Sequence, residues 1–306
     1  LKSDASVIDK FWNHLGSVDR ALRFTARTAI EKVPVENWAG KVLREKNTFA
    51  QLGGLISLAR LGGKEHQAPV IKALLALDYA KLKPQERYDL LRAYGLAFLR
   101  LGAPDAKQKA AVIAQLDSHY PSDLAFENIE LSNVLGYLQT PDMVTRSVDL
   151  ITNAPTQEEQ IAIAKNIRFV KKGWTNDSEK KLFIWFSRAA SYKGGASFKN
   201  FINEIKKDHL ARLSAKRKKA LASIIDAKPV TKNPLSSNRQ LKFVKNWQMK
   251  DLTPLLGSGL EGNRNFKNGR EMFATATCYS CHRFNQEGGG IGPDLTSAGG
   301  KFSPHD

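Results

Sequence analysis

Both cysteines of this 306-residue chain fall within five residues, Cys278-Tyr279-Ser280-Cys281-His282. C-x-x-C-H is the attachment pattern of c-type haem. Two thiols three residues apart on a turn can each add to one vinyl group of a single porphyrin, and the adjacent His282 is then delivered to the iron as its proximal ligand. A redox C-x-x-C expects a βαβ setting, which the surrounding residues lack. A zinc site needs two further ligands, and beyond His282 the nearby candidate is His305.

The flanks point the same way. Phe266, Gly269, Met272 and Phe273 recur at spacings of three and four, which predicts a helix entering the motif and covering a flat apolar ligand. After it comes Gly288-Gly289-Gly290-Ile291-Gly292-Pro293-Asp294-Leu295. Glycines let backbone approach a porphyrin edge. The carbonyl of Pro293, eleven residues past His282, can accept the imidazole Nδ1–H and make the ring a stronger donor. Gly292, Pro293 and Leu295 therefore join Cys278, Cys281 and His282 as candidate haem-binding residues.

The elements that must carry this site are helical. Apolar residues at spacings of three and four predict helices over Arg20–Val33, Phe49–Leu61, Val70–Leu77, Tyr88–Leu101, Ala106–Leu116, Leu124–Leu138 and Met143–Ile151. Three junctions align, ending at Glu65, Asp105 and Asp142, at intervals of 40 and 37 residues with an apolar helix on each side. That is the period of a HEAT or armadillo helix–turn–helix repeat. Two further pairs are degenerate, Glu158–Val170 with Lys181–Ala190, and Phe198–Leu210 with Ala215–Ile225. The expected fold is all-α: a HEAT/armadillo-like α-solenoid over residues 1–226, then a linker, then a class I cytochrome c-like domain. Lys228–Asn238, with two prolines and no apolar period, reads as linker. The linker region as a whole spans 227–262, and its Leu241–Leu260 is expected to pack on a domain surface. A short helix starting at Asn263 opens the haem segment, 263–306.

Charge belongs to the helical part. The chain has 47 Lys and Arg against 30 Asp and Glu, a net charge of +17. From Arg264 onward five basic residues face four acidic ones, so nearly all the excess precedes the motif. Such an excess can attract nucleic acid, anionic lipid or an acidic protein. A basic scaffold gripping protein or nucleic acid would account for the charge and leave C-x-x-C-H unexplained, so nucleic acid is not the expected partner. No stretch approaches the roughly 20 apolar residues that span a bilayer. Leu1-Lys2-Ser3-Asp4 lacks an initiator Met and a signal peptide and reads as a processed or truncated start.

Weaker signals have plainer readings. His14, His66, His119, His209 and His305 form no metal-binding spacing, and surface or capping positions are expected for them. Lys216-Arg217-Lys218-Lys219 reads as a solvated helix face. Trp174, Trp185 and Phe186 read as core.

Residues 239–306, from RQLKFVKNW through NRNFKNGREMFATATCYSCHRFNQEGGGIGPDLTSAGGKFS, resemble the PVC-type haem-binding C-x-x-C-H proteins. The stretch from Arg23-Phe24-Thr25-Ala26-Arg27 to Trp38 is similar to the start of that family's helical region. The family consists of large exported bacterial proteins with a propeller-like dehydrogenase domain, a HEAT-like region and a C-terminal cytochrome c domain. The resemblance implies covalent haem c on Cys278 and Cys281, His282 as proximal iron ligand and Pro293 as its buttress. It also implies a periplasmic or otherwise exported location, and electrons arriving from a dehydrogenase domain or redox partner, as in sugar or alcohol dehydrogenase-like proteins. No propeller precedes Leu1, so a dehydrogenase site is not expected in these residues. After His282 come 24 residues without a methionine, the usual sixth ligand, so the domain reads as truncated and its haem as incomplete or absent. Met272 reads as core. An iron with an open sixth position would favour redox chemistry at the haem itself.

Overall fold

Polar side chains cap the helices where the sequence places them. Asp19 accepts from the amides of Ala21 and Leu22 ahead of helix Arg20–Ile30, and Asn47 accepts from Ala50 ahead of Thr48–Leu61. Each satisfies donors that a first turn leaves without a partner. Asp105 and Gln108 cap Ala106–Leu116 reciprocally, at 2.8 and 2.9 Å. The structure is a computed structural model that describes residues 6–192, 194–195, 197–227, 242–262, 264–285 and 287–306. Among the described residues there are sixteen α-helices and one two-stranded antiparallel hairpin, Arg283–Phe284 with Glu287–Gly288. The chain is therefore mostly helical, as expected. No helix among them is long and apolar enough to cross a membrane.

The helix expected over Ala106–Leu116 has those bounds, and Met143–Asn153 and Ala125–Tyr137 lie within two residues of expectation. Pro84–Arg100 starts four residues before the apolar period does, because proline suits a first turn whose N–H groups are unpaired anyway. The expected linker Lys228–Asn238 lies outside the described residues, as does Asn263. Helix Met249–Glu261 occupies part of the stretch read as linker and runs through Pro254. Phe243 and Val244 before it are 81% and 75% exposed. Residues 242–248 are not helical.

The chain divides into two compact units. The first comprises Leu1–Asn153, Glu159–Leu182 and Lys207–Ser214. In it Thr48–Leu61 packs on Pro84–Arg100, which packs on Ala125–Tyr137, while Gln67–Leu75 packs on both Pro84–Arg100 and Ala106–Leu116. Alternate helices thus form two rows whose shared interior holds Leu52, Leu55, Leu58, Leu74, Leu90, Leu91, Leu131 and Leu135. Polar cross-links recur at a near-constant sequence interval. Gln67 and Gln108 bond at an interval of 41 residues, Arg100 donates to the Arg60 carbonyl at 40, and Asn166 donates to the Ile129 carbonyl at 37.

His209, expected at the surface or in a cap, is instead fully buried in this unit. Its Nε2 lies 2.9 Å from the Ala164 carbonyl and its ring meets Trp174 edge-on at 5.6 Å. Helix Phe198–Arg212 turns this position inward, and the carbonyl partner satisfies the buried N–H. Arg212 lies 3.6 Å over the half-buried Trp174 ring and pairs with Glu179 at 3.0 Å.

The second unit comprises Ala154–Glu158, Phe183–Lys206 and Ala215–Asp306. Phe183, Trp185, Phe186 and Tyr192 are buried in it, with Trp185 packed against both Phe186 and Tyr192. Lys206 donates to the Ile225 carbonyl at 2.8 Å, closing the end of helix Ala222–Ile225. Lys216, Lys218 and Lys219 are exposed, as a solvated face requires.

Candidate haem-binding site

Helix Phe266–Thr275 delivers the chain to the motif, capped by Asn265, which accepts from the Asn268 amide at 2.9 Å. Thr277 then takes a left-handed backbone, φ 61°, which is costly for a β-branched residue. The reversal leads directly into a turn over Cys278–Ser280. There the Cys278 carbonyl accepts from the amides of Cys281 and His282, at 3.3 and 2.8 Å. Both thiols therefore project from one turn, half-buried at Cys278 and exposed at Cys281, and both are free.

Tyr279, between the two cysteines, points the other way and is buried. It meets the Phe273 ring edge-on at 4.7 Å, and its hydroxyl donates to Glu287 at 3.3 Å. Burial pushes the Tyr279 hydroxyl up, and the Glu287 charge adds to that. Glu287 is gripped by Nε and Nη2 of Arg270, at 2.5 and 2.8 Å. The bidentate pair is exposed, so its value lies in geometry more than in energy.

His282 Nδ1 lies 3.0 Å from the Pro293 carbonyl. A carbonyl only accepts, so Nδ1 carries the proton and Nε2 keeps the lone pair, as an iron ligand must. The glycine-rich stretch forms a fitted turn. A Cβ at Gly292 would come within 2.8 Å of the His282 ring, and Gly288, at φ 104°, lies against the His282 carbonyl. The Gly292 amide donates to the Cys281 carbonyl and that of Gly289 to Tyr279, at 2.8 and 2.7 Å. Pro293 is exposed apart from its carbonyl contact, and the half-buried Leu295 donates its amide to the Arg283 carbonyl at 2.8 Å.

Asp294 accepts from the Thr296 amide and hydroxyl, at 2.8 and 2.6 Å, which holds its carboxyl below the ordinary range. Phe266, Ile291 and Phe302 are exposed at 78%, 87% and 62%, while Met272 and Phe273 are half-buried. The half-buried position of Met272 differs from the core placement expected for it.

The six expected residues thus fall on one turn and the segment that returns past it. Sequence reasoning missed Tyr279, the Arg270–Glu287 pair and Arg283. Arg283 reads as an ordinary charge after the motif, yet it is 7% exposed and donates to Gln157 at 2.8 Å. No spacing signal could link residues 126 positions apart.

The donor set fits a c-type haem: two thiols on one turn beside an imidazole in the ligating tautomer. A tetrahedral zinc site would need more donors. Among the described residues no group of three or more His, Cys, Asp or Glu could hold a metal ion. Residues 266–305 match the family model described as Cytochrome c. No curated protein and no solved structure matches the chain. The C-terminal segment is a cytochrome c haem-binding domain, which implies covalent haem c as its cofactor.

Proposed function

We propose that the chain is an exported electron-transfer module in which a cytochrome c domain is carried by a HEAT-like helical scaffold of the PVC-type C-x-x-C-H architecture. The observation that carries this reading is the His282–Pro293 hydrogen bond, which presents Nε2 for ligation beside the two thiols. Haem c supplies reversible one-electron exchange at its iron. The chain's own residues do the rest. Cys278 and Cys281 tether the group, His282 ligates it, and Pro293 fixes the imidazole proton on Nδ1. Gly292 keeps the space against the ring clear of a side chain, and Leu295 and Ile291 offer apolar surface.

Cross-links at 37 to 41 residues between alternate helices support the repeat reading of the first unit. The electron donor is a dehydrogenase domain or partner protein, and the compartment is the periplasm or an equivalent exported space, where thioether attachment takes place. The test is maturation in an exporting host with c-type cytochrome assembly. The haem should give a pyridine haemochrome spectrum and stay with the denatured protein through acid–ketone extraction. Extractable haem, or none, would overturn the reading.

A further inference from the structure

We propose that Arg283 is a positioning residue for His282: its buried guanidinium, held by Gln157, fixes the strand pairing that sets the His282–Pro293 hydrogen bond. This rests on the haem reading only for its consequence at the iron. The pairing itself belongs to the polypeptide.

Arg283 follows the ligand directly and sits between two neighbours. It pairs with Gly288 in the hairpin and bridges in parallel to Asp294. Its carbonyl accepts from the Leu295 amide at 2.8 Å. His282 and Pro293 are therefore one residue before a rung made by Arg283 and Asp294, so the distance between imidazole and carbonyl follows from how that rung is held.

The side chain holds it from the other direction. Nη2 donates to Gln157 Oε1 at 2.8 Å, and Nε lies 3.8 Å from Asp294 Oδ2. Asp294 is fixed in turn by Thr296, whose hydroxyl oxygen also accepts from the Asn285 amide at 2.9 Å. Tyr192 is close enough to feel the charge, which draws its buried hydroxyl back from the upward push of burial.

Burying a guanidinium is costly unless its planar fork is matched by acceptors on fixed elements. Here the acceptor is a glutamine 126 residues away, and the Asp294 carboxylate on the returning segment faces Nε as an ion pair at 3.8 Å. Together they tie the ligand turn to Gln157 at the start of helix Gln157–Ile167. Because the Nδ1–H bond sets imidazole basicity, Gln157 should tune a haem ligated by His282.

The test compares wild type with Gln157→Leu, Arg283→Met, Arg283→Lys and the Gln157→Leu/Arg283→Met double variant. In the haem-free chain, hydrogen exchange at the Gly292 and Leu295 amides should rise roughly tenfold in each single variant, as loss of a charge-assisted bond implies. The double variant should match Arg283→Met, because both changes break one linkage. Lysine keeps the charge and loses the fork, so Arg283→Lys should follow Arg283→Met. In haem-loaded protein, Gln157→Leu and Arg283→Met should shift the reduction potential in the same direction. Unchanged exchange in Gln157→Leu, or additive effects in the double variant, would overturn the proposal. If Arg283→Met fails to fold, Gln157→Leu still decides. Failure of the haem reading would show separately, as wild-type protein without haem and with the exchange pattern intact.

Discussion

Gly292 lies so close to His282 that a Cβ added to it would sit 2.8 Å from Cε1 and 2.9 Å from Nδ1 of the imidazole. A methyl group there must push the ring or the strand aside, and the ring's hydrogen bond to Pro293 goes with it. Overpacking of this kind costs about 1–3 kcal/mol where neighbours can shift little. Gly292→Ala should therefore lower the haem content of matured protein, read by pyridine haemochrome against protein concentration. In the fraction that retains haem, the reduction potential should fall outside the wild-type value. The helical far-ultraviolet signal should be unchanged.

Much of this site was legible because its signals are local. C-x-x-C-H and a proline eleven residues later lie on one turn and the segment that returns past it, and short-range spacing reports such geometry faithfully. The helices of the first unit were legible for a similar reason: the apolar period records which face turns inward, and prolines and Asp105 mark the ends. Arg283, His209 and Phe243 were not. Arg283 and His209 take their environments from residues far along the chain. Arg283 is buried by Gln157, and His209 by Trp174 and the Ala164 carbonyl. The apolar character of Phe243 says that it could be covered, and nothing in its spacing says whether it is.

Gln115 tests how the helix rows are joined. Its side chain donates to the carbonyls of Leu77 and Leu74, at 2.7 and 3.2 Å, and accepts from the buried Tyr94 hydroxyl at 2.7 Å. Gln115→Ala strands that hydroxyl and loses the ties at the end of helix Gln67–Leu75. A buried unsatisfied hydroxyl alone costs about 1–3 kcal/mol. Tyr94→Phe removes the stranded group, so the Gln115→Ala/Tyr94→Phe double variant should recover part of the loss. Urea midpoints of the four proteins measure this cycle. A Gln115→Ala midpoint equal to wild type would mean that the cross-link contributes nothing.

His209 should make the first unit sensitive to acid. Burial lowers its pKa from the ordinary 6.5 to about 3, with the Ala164 bond opposing and the nearby Arg212 and Arg168 charges adding to the fall. The folded form therefore holds a neutral ring, while the unfolded chain takes up a proton below pH 6.5. Its contribution to stability is complete above pH 6.5 and is lost as pH falls toward 3, at up to about 1.4 kcal/mol per pH unit. His209→Gln keeps a donor for the Ala164 carbonyl and cannot take up that proton. Wild type should lose more stability than the variant between pH 7 and 4, by urea unfolding at each pH. Parallel curves would show that His209 titrates normally.

The iron's sixth position is the remaining chemical question, and these residues constrain it. Electron transfer favours two strong axial ligands, which keep the geometry similar in both oxidation states, whereas an open position favours small-molecule binding. Residues 283–306 contain no methionine, and His305 is the later side chain able to ligate well. It is exposed, in a turn closed by the Ser303 amide and hydroxyl donating to Asp306 at 2.8 and 2.9 Å. Met272 sits on the helix that precedes the motif. Haem-loaded protein of residues 1–306 should therefore be five-coordinate or water-ligated, and once reduced it should bind carbon monoxide readily, seen as a shift in the visible spectrum. A low-spin spectrum that resists carbon monoxide and disappears in His305→Ala would instead assign bis-histidine ligation. If the low-spin spectrum survived that change and vanished in Met272→Leu, the ligand would come from the entering helix.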